Sequence, residues 1–180
     1  NQNIMDPNTG KKGMFNKLSK EQGVALVEKE DFSRKTISFY RYVILDAPFD
    51  LRDELYLQWN KLGVLGRIYL AHEGVNAQLS VPEYNWDTFV NAVHSNKYFT
   101  AMPFKIAVED DGKSFYKLTI KVRHQIVADG LPIDEYDVTN VGVHLDAKKW
   151  NNALESGATV VDMRNHYESE IGKFKGAICP

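Results

Sequence analysis

The sequence has very little cysteine, and it also lacks the marks of several common protein classes. Only Cys179 among its 180 residues is a cysteine, which excludes a framework of internal disulfide bonds. No apolar run approaches the length that spans a bilayer, and no positively charged segment followed by an apolar stretch opens the chain. A net charge of −2 excludes strong non-specific binding of polyanions by the whole surface, but leaves room for a local basic patch. We therefore expect a cytoplasmic protein that binds neither membranes nor DNA.

Candidate metal ligands and nucleophiles are also scarce. His72-Glu73 does not begin a His-Glu-x-x-His metal motif, because Asn76 holds the position of the second histidine. We interpret His72 and Glu73 as polar residues of a hairpin, and we predict no metal site. Only two lysines lie near Cys179 in the sequence to stabilise a thiolate, so we do not expect this cysteine to be catalytic.

Apolar periodicity predicts the order of the secondary structure. Hydrophobic residues make up 43% of the chain, enough for a packed core. From residue 35 onward, period-two strands and helical stripes follow the order strand, helix, strand, strand, helix, strand, with one further strand. This order predicts an α+β fold, a ferredoxin-like (split βαβ) domain with an extra strand. We assign it to residues 34–127, after an N-terminal lead at 1–33 that we expect to be partly mobile.

The individual elements are predicted from apolar spacing and from caps. Helices are expected at 19–30, with Ser19 as N-cap, at 50–61, with Asp50 as N-cap, and from Pro82 onward. Strands are expected at 35–45, 65–71, 75–81, 104–108 and 115–127. In the strand at 104–108, the inward residues would be Phe104, Ile106 and Val108.

One face of the predicted sheet combines aromatic and basic side chains. Both helices cover the other face, so this one is partly open. RNA-binding sheets use such a combination, since rings stack on bases while Lys and Arg contact phosphates. The alternative is an ordinary solvated face, or one covered by a C-terminal domain, because antiparallel strands alternate this way in any case. The predicted RNA-binding residues are Tyr40, Tyr42, Arg67, Tyr69, Lys117, Lys121 and Arg123, with Asn76 and Gln78 on the same face.

The C-terminal part has a different pattern. Residues 128–143 are rich in Asp, Asn and Gly, which indicates a linker. A helix at 145–156 and a strand at 159–163 then lead into the strings VVDMR at 160–164 and GKFKGAI at 172–178, which resemble the opening of a rhodanese domain. We assign residues 144–180 to the first helix and strand of an incomplete α/β rhodanese domain.

Three charged residues of this opening, Asp162, Arg164 and Glu168, allow two interpretations. They could form a catalytic set. We favour a structural motif, in which hydrogen bonds between the arginine and a carboxylate hold the loop after the strand.

Longer strings resemble one family of proteins. GRIYLAHEGVNAQLSVP at 66–82, DDGKSF at 110–115, KVRHQIVADG at 121–130 and DMRNHYE at 162–168 are similar to the signature of the bacterial tRNA uridine(34) hydroxylase family, whose members carry a rhodanese domain. The resemblance extends over residues 34–180.

The resemblance implies an enzyme that hydroxylates the wobble uridine of certain tRNAs to 5-hydroxyuridine. Molecular oxygen is the implied co-substrate, tRNA is the implied partner, and no cofactor is evident. The family's essential cysteine lies in the rhodanese active loop, beyond Pro180, so no catalytic residue is assigned in this chain. We expect the chain to be a truncated part that is inactive alone, and its incomplete C-terminal segment could pair with another chain.

Two other functions stay open on the sequence alone. The chain could be a fragment of a rhodanese-type sulfurtransferase, in which the missing cysteine carries sulfur. It could also be a non-catalytic RNA-binding module.

Overall fold

A computed structural model of the chain describes residues 18–108, 110–126, 137, 140–164 and 166–180. The chain divides into two compact units, Asn1–Thr139 and Asn140–Pro180. Residues 1–17 of the predicted lead and most of the predicted linker lie outside the described residues. The mobility of the lead and the domain boundaries drawn from the sequence stay predictions.

A five-stranded sheet forms the centre of the first unit, in the order β4-β1-β3-β2-β5. The pairs within β4-β1-β3-β2 are antiparallel, whereas β5 runs parallel to β2. With two helices, the first four strands give the split βαβ order of a ferredoxin-like fold, and β5 is the extra strand. The predicted fold class of this domain is confirmed. The strands are β1 (Arg34–Tyr42), β2 (Leu65–Ala71), β3 (Gly74–Pro82), β4 (Lys105–Ile106) and β5 (Leu118–Val122).

The core of this unit lies between the sheet and its helices. The helices of this unit are α1 (Lys20–Glu28), α2 (Pro48–Lys61) and α3 (Trp86–Ser95). Trp59 of α2 and Phe89 of α3 are 0% exposed, and their ring centroids lie 5.4 Å apart. Ile37 and Phe39 of β1 belong to the same core. Since successive strand residues point to opposite faces, the even-numbered side chains of β1 lie on the other side of the sheet.

Helix starts illustrate where capping rules succeed and fail. α1 begins with the predicted capping box, because Ser19 accepts from the N–H of Gln22 and the Gln22 side chain accepts from the N–H of Ser19. The prediction of Asp50 as the N-cap of α2 is wrong. Ala47 is the N-cap, because Pro48 fits the first helical position, where its missing N–H loses no bond.

The prediction that Pro82 starts a helix is also wrong. Pro82 is the last residue of β3, and a 3₁₀ turn at Glu83–Asn85 precedes α3. A proline can occupy a strand end, where no further ladder bond is needed.

The two strands after α3 are shorter than predicted. β4 has only two residues, and Ile106 and Val108 are 55% and 87% exposed, so their inward placement is wrong. Ile106 does lie opposite the buried Ile37, but at the outer strand of the sheet, where burial is incomplete. β5 covers five residues, which pair with Gly66–Leu70 of β2, and β2 itself spans only Leu65–Ala71.

The second unit has little regular structure in its described residues. It contains α4 (Ala147–Glu155), with Asp146 as N-cap, and α5 (His166–Ile171). The predicted strand at 159–163 is reduced to one parallel bridge between Val161 and Ile178, because no other described strand pairs with it. None of the described apolar side chains of this unit is buried. A rhodanese fold is therefore still a prediction for this unit.

Candidate nucleic-acid interface

We call the side of the sheet that α2 and α3 do not cover the open face. Its side chains form rows, because each one lies opposite a partner on the neighbouring strand. The central row crosses β1, β3, β2 and β5 and consists of Tyr40, Asn76, Tyr69 and Lys121. Tyr40 is 59% exposed and Lys121 is exposed. Two rings with an amide between them and a cation at the end can stack on bases and contact a phosphate.

A cation–π contact extends the central row. The guanidinium carbon of Arg123 lies 5.4 Å from the ring centroid of Tyr69. The backbone N–H of Arg123 donates to the carbonyl of Leu70 at 2.7 Å, which fixes the chain just after β5. Such a contact at an exposed site contributes about 0.5–1 kcal/mol. Arg123 and Tyr69 therefore form one cationic and aromatic element.

A second, more polar row lies beside the central one. It crosses β4, β1, β3, β2 and β5 and consists of Lys105, Ser38, Gln78, Arg67 and Thr119. Arg67 and Lys105 are both exposed. The second row thus begins with a basic side chain, Lys105, at its β4 end, and it carries Arg67 on β2, one strand before Thr119 at its β5 end.

Two of the predicted residues lie at the margins of the open face. Tyr42 ends β1 and is 37% exposed. Lys117 precedes β5 and is half-buried, with its Nζ 5.6 Å from the ring centroid of Tyr116. The structure therefore brings Tyr40, Arg67, Tyr69, Lys121 and Arg123 together, with Tyr42 and Lys117 at the edges. Their contact with RNA stays a prediction.

The role of Glu73 was missed in the sequence. The hairpin turn lies where it was predicted, between β2 and β3, but Glu73 is only 2% exposed. Its carboxylate accepts a hydrogen bond from the backbone N–H of Ile126 at 2.7 Å. The two residues are far apart in the chain, so no local pattern signals the bond. Glu73 holds the segment after β5, which carries Arg123, against the hairpin.

A tight turn lies beside the second row. The carboxylate of Asp110 accepts from the hydroxyl of Thr36 at 2.6 Å, from the N–H of Gly112 at 2.7 Å and from the hydroxyl of Ser114 at 3.2 Å. These hydrogen bonds, chiefly that of Thr36, lower the pKa of Asp110 from its usual 3.8. The hydroxyl of Ser80 donates to the carbonyl of Gly112 at 2.7 Å. The turn is therefore tied to β1 and β3.

In the charged motif of the second unit, hydrogen bonds join Arg164 to Asp162, and the structural role of the motif stays a prediction. Arg164 donates to Asp162 through Nε at 3.0 Å and through a terminal nitrogen at 2.7 Å, and the same terminal nitrogen donates to the carbonyl of Gly172 at 2.7 Å. These bonds lower the pKa of Asp162 from 3.8 to about 2. The charge of Glu168 is among the factors that raise the pKa of Arg164. Arg164 thus joins the end of the predicted strand to the loop after α5.

Cys179 has a cationic neighbour, and its lack of a catalytic role stays a prediction. Cys179 is half-buried, and the Nζ of Lys173 lies 3.5 Å from its sulfur. No group of three or more His, Cys, Asp or Glu side chains among the described residues could hold a metal ion. Of the helices described above, none has the length and apolar character that crossing a membrane requires.

Comparison with known proteins links both units to one group of relatives. The tRNA uridine(34) hydroxylase of Leptospira interrogans is 56% identical over 96% of this chain and 47% of its own length. Those of Salmonella arizonae and Yersinia enterocolitica are 43% and 46% identical, each over 92% of this chain and 48% of its own length. The chain therefore spans about half the length of the curated relatives it matches.

Structural comparison adds little. The solved dark-state structure of the BLUF protein BlrB aligns with 51% of this chain and 74% of its own, at a TM-score of 0.38 and 11% identity, which is too weak to support a conclusion. A family model, by contrast, matches residues 34–126, which include every strand of the sheet. Because this match covers more than half of the chain, the protein belongs to the family defined by the UPF0176 acylphosphatase-like domain.

Proposed function

We propose that the first unit binds tRNA and that the whole protein is a tRNA uridine(34) hydroxylase, which uses molecular oxygen in the cytoplasm. The observation that carries this proposal is the central row of the open face. Tyr40 and Tyr69 offer rings to unstacked bases, and Lys121 and Arg123 offer cations to the backbone phosphates beside them.

Charge supports the same proposal. The chain as a whole has a net charge of −2, so a polyanion would not bind its surface indiscriminately. The open face nevertheless carries Arg67 on β2, Lys121 on the adjacent β5 with Arg123 just after it, and Lys105 on β4 at the opposite edge of the sheet. Cations placed beside exposed rings favour a single-stranded nucleic acid over a protein partner. The names of the relatives at 43–56% identity make tRNA the polynucleotide that we propose.

We assign the chemical step to the part of the protein that follows this chain. The described residues of the second unit bury no apolar side chain, and Val161, Met163 and Ile178 are at least half exposed. A parallel strand with such side chains requires further strands and helices for burial. We propose that the second half of the protein supplies them, together with the reactive cysteine implied by the rhodanese resemblance.

The binding proposal is tested by charge reversal on the open face. The double variant Lys121→Glu with Arg123→Glu is compared with the unchanged chain for binding of a tRNA anticodon stem-loop over a range of salt concentrations. Each phosphate contact that is lost reduces the salt slope of log K by about one. We therefore expect weaker binding together with a slope that is smaller by about two.

A matched control makes the same change of charge away from the open face, on the side of the sheet that the helices cover. Lys61 ends α2 and Lys97 follows α3, and Lys61→Glu with Lys97→Glu alters the net charge equally. We expect this variant to bind nearly as the unchanged chain does. Equal losses of affinity for the stem-loop in both double variants, or no loss of affinity in either, would contradict a binding site on the open face.

The enzymatic proposal requires the whole protein. We expect the full-length protein to form hydroxylated uridine at the wobble position of tRNA in the presence of oxygen, and not to transfer sulfur from thiosulfate. Sulfur transfer without any modified tRNA would favour the sulfurtransferase instead.

A further inference from the structure

A depression lies at the β4 side of the open face, apart from the central row. Its volume is about 380 Å³, which falls at the lower end of the range of small-ligand pockets. Its polar lining comes from three strands, Thr36 and Ser38 of β1, Gln78 of β3 and Lys105 of β4, and Ser114 and Phe115 also line it. No residue of the depression belongs to the set predicted from the sequence to bind RNA.

The hydroxyls of Thr36 and Ser114 in the depression donate to Asp110, whereas the side chains of Gln78 and Ser38 are available to a ligand. Gln78 is exposed, and neither its side chain nor that of Ser38 has a hydrogen-bond partner among the described residues. An amide presents a donor and an acceptor side by side, and a hydroxyl can serve as either. The edge of a nucleobase requires this combination, whereas a purely anionic ligand requires donors alone.

An aromatic side chain and a cation complete the set. Phe115 is partly exposed and offers a ring face or edge, and Lys105 is exposed at the rim. The turn just before Phe115 is held, because Asp110 accepts hydrogen bonds from Thr36, Gly112 and Ser114. A backbone that is ordered in advance loses less conformational freedom when a ligand binds beside it.

The register connects the depression to the central row. Gln78 lies two residues from Asn76 along β3, which is a distance of about 6.6 Å. Arg67, opposite Gln78 on β2, stands between the depression and Lys121. A strand of RNA that stacks on Tyr40 or Tyr69 can therefore continue toward Lys105 without leaving the open face.

We propose that this depression binds one unpaired nucleobase of a single-stranded RNA segment, with Phe115 against the base, Gln78 and Ser38 on its edge, and Lys105 on a flanking phosphate. The inference deepens the proposed function and rests on it, since it takes RNA as the ligand of the open face. It adds a site that reads a base, whereas the cations of the central row contact phosphates and give affinity without sequence.

The test compares two fluorescein-labelled oligomers on the full 180-residue chain. One is a single-stranded oligouridylate, and the other has the same number of phosphates but no bases. We expect Phe115→Ala to weaken binding of the oligouridylate at least about fivefold, the lower limit for the loss of one stacked base, and to leave binding of the base-free oligomer unchanged. Gln78→Ala, which alters an exposed side chain and retains the fold, should have the same selective effect.

Two further variants serve as controls. Lys105→Ala should weaken the binding of both oligomers to a similar degree, since it removes a phosphate contact. Tyr84→Ala removes an aromatic side chain that is 65% exposed and lies outside the open face, so it should alter the affinity for neither oligomer. Thermal unfolding of each variant identifies any loss of affinity that comes from a loss of fold.

The outcomes separate this inference from the function on which it rests. Suppose that the unchanged chain binds the oligouridylate, but that Phe115→Ala and Gln78→Ala leave the affinity for both oligomers unchanged or lower both affinities equally. The depression then does not bind a base, and the proposal of RNA binding stands. If the unchanged chain binds neither these oligomers nor the anticodon stem-loop, both proposals fall.

Discussion

The carboxylate of Glu73 accepts the backbone N–H of Ile126 at 2.7 Å, and both residues are buried. Glu73 lies in the turn between β2 and β3, at one end of the sheet, and Ile126 lies just after β5. Because β2 is the one strand that pairs with β5 among the described residues, this bond is a further attachment for the strand that carries Lys121 and for the segment with Arg123. A buried carboxylate here thus orders one side of the open face.

We expect Glu73→Ala to destabilise the first unit by about 1–3 kcal/mol, because it leaves the buried N–H of Ile126 without an acceptor. Urea unfolding measures the loss, and hydrogen exchange at the amide of Ile126 should become faster. Glu73→Gln retains an acceptor oxygen, so its free energy of unfolding should fall by less than that of Glu73→Ala. An equal loss of stability in both variants would mean that the charge of Glu73, rather than this hydrogen bond, stabilises the first unit.

The close approach of β2 to β3 gives a second prediction. Gly66 has a φ of +146°, and a Cβ placed on it would lie 2.3 Å from the carbonyl oxygen of Gln78. Gly66→Ala therefore forces β2 away from β3, and we expect a loss of about 2–4 kcal/mol in the free energy of unfolding. Gly142→Ala is the control, since no described residue beyond its chain neighbours has an atom within 4 Å of its Cβ position. Similar stability of the two variants in urea would show that the strands can separate without loss.

The second unit offers a prediction about pH. Hydrogen bonds from Arg164 lower the pKa of Asp162 from 3.8 to about 2. Because the folded pKa is the lower one, the ion pair contributes fully above pH 3.8 and is lost as the pH falls through about 2. We expect an NMR titration to show this midpoint, and Arg164→Ala to move it toward 3.8.

Lys173 provides the control for that titration. Its charge also lowers the pKa of Asp162, but it is the smallest of the causes. Lys173→Ala should therefore move the midpoint much less than Arg164→Ala does. A midpoint that moves equally in both variants would mean that net charge, and not the bonds of Arg164, sets the pKa.

The sequence predicts the sheet well because its signals are local. The alternation in 75–81 and the helical spacing of Leu51, Leu55, Trp59 and Leu62 predict which faces are buried, and the order of elements then predicts the topology. The outer strands were predicted less well. The length of β5 depends on β2, and the exposure of Ile106 depends on which strand lies at the edge. Neither fact is present in the segment itself.

In the candidate site, too, some features follow from the local sequence and others depend on the tertiary structure. Tyr40, Tyr69 and Lys121 were found by counting alternate positions, since a strand places every second side chain on one face. The bond between Glu73 and Ile126 and the depression beside Gln78 were not, because each joins residues from distant parts of the chain. Long-range contacts of this kind require the tertiary structure.

The turn that holds Phe115 gives the last prediction. Asp110 accepts hydrogen bonds from Thr36, Gly112 and Ser114, so Asp110→Ala releases the turn from β1. We expect faster hydrogen exchange at the amide of Gly112, with little change in overall stability because Asp110 is exposed. The turn would then be attached to the sheet chiefly through the bond from Ser80 to Gly112 and would hold the backbone before Phe115 less firmly, so binding of the oligouridylate should weaken while binding of the base-free oligomer does not.

Asp111 supplies a neighbouring control, since its carboxylate accepts only from the N–H of Lys113 among the bonds described, at 2.9 Å. Asp111→Ala removes the same charge without releasing the turn from the sheet, and it should leave the affinity for both oligomers nearly unchanged. If Asp110→Ala and Asp111→Ala instead strengthen binding of both oligomers equally, simple loss of negative charge explains the effect. The turn would then have no part in holding Phe115 for a base.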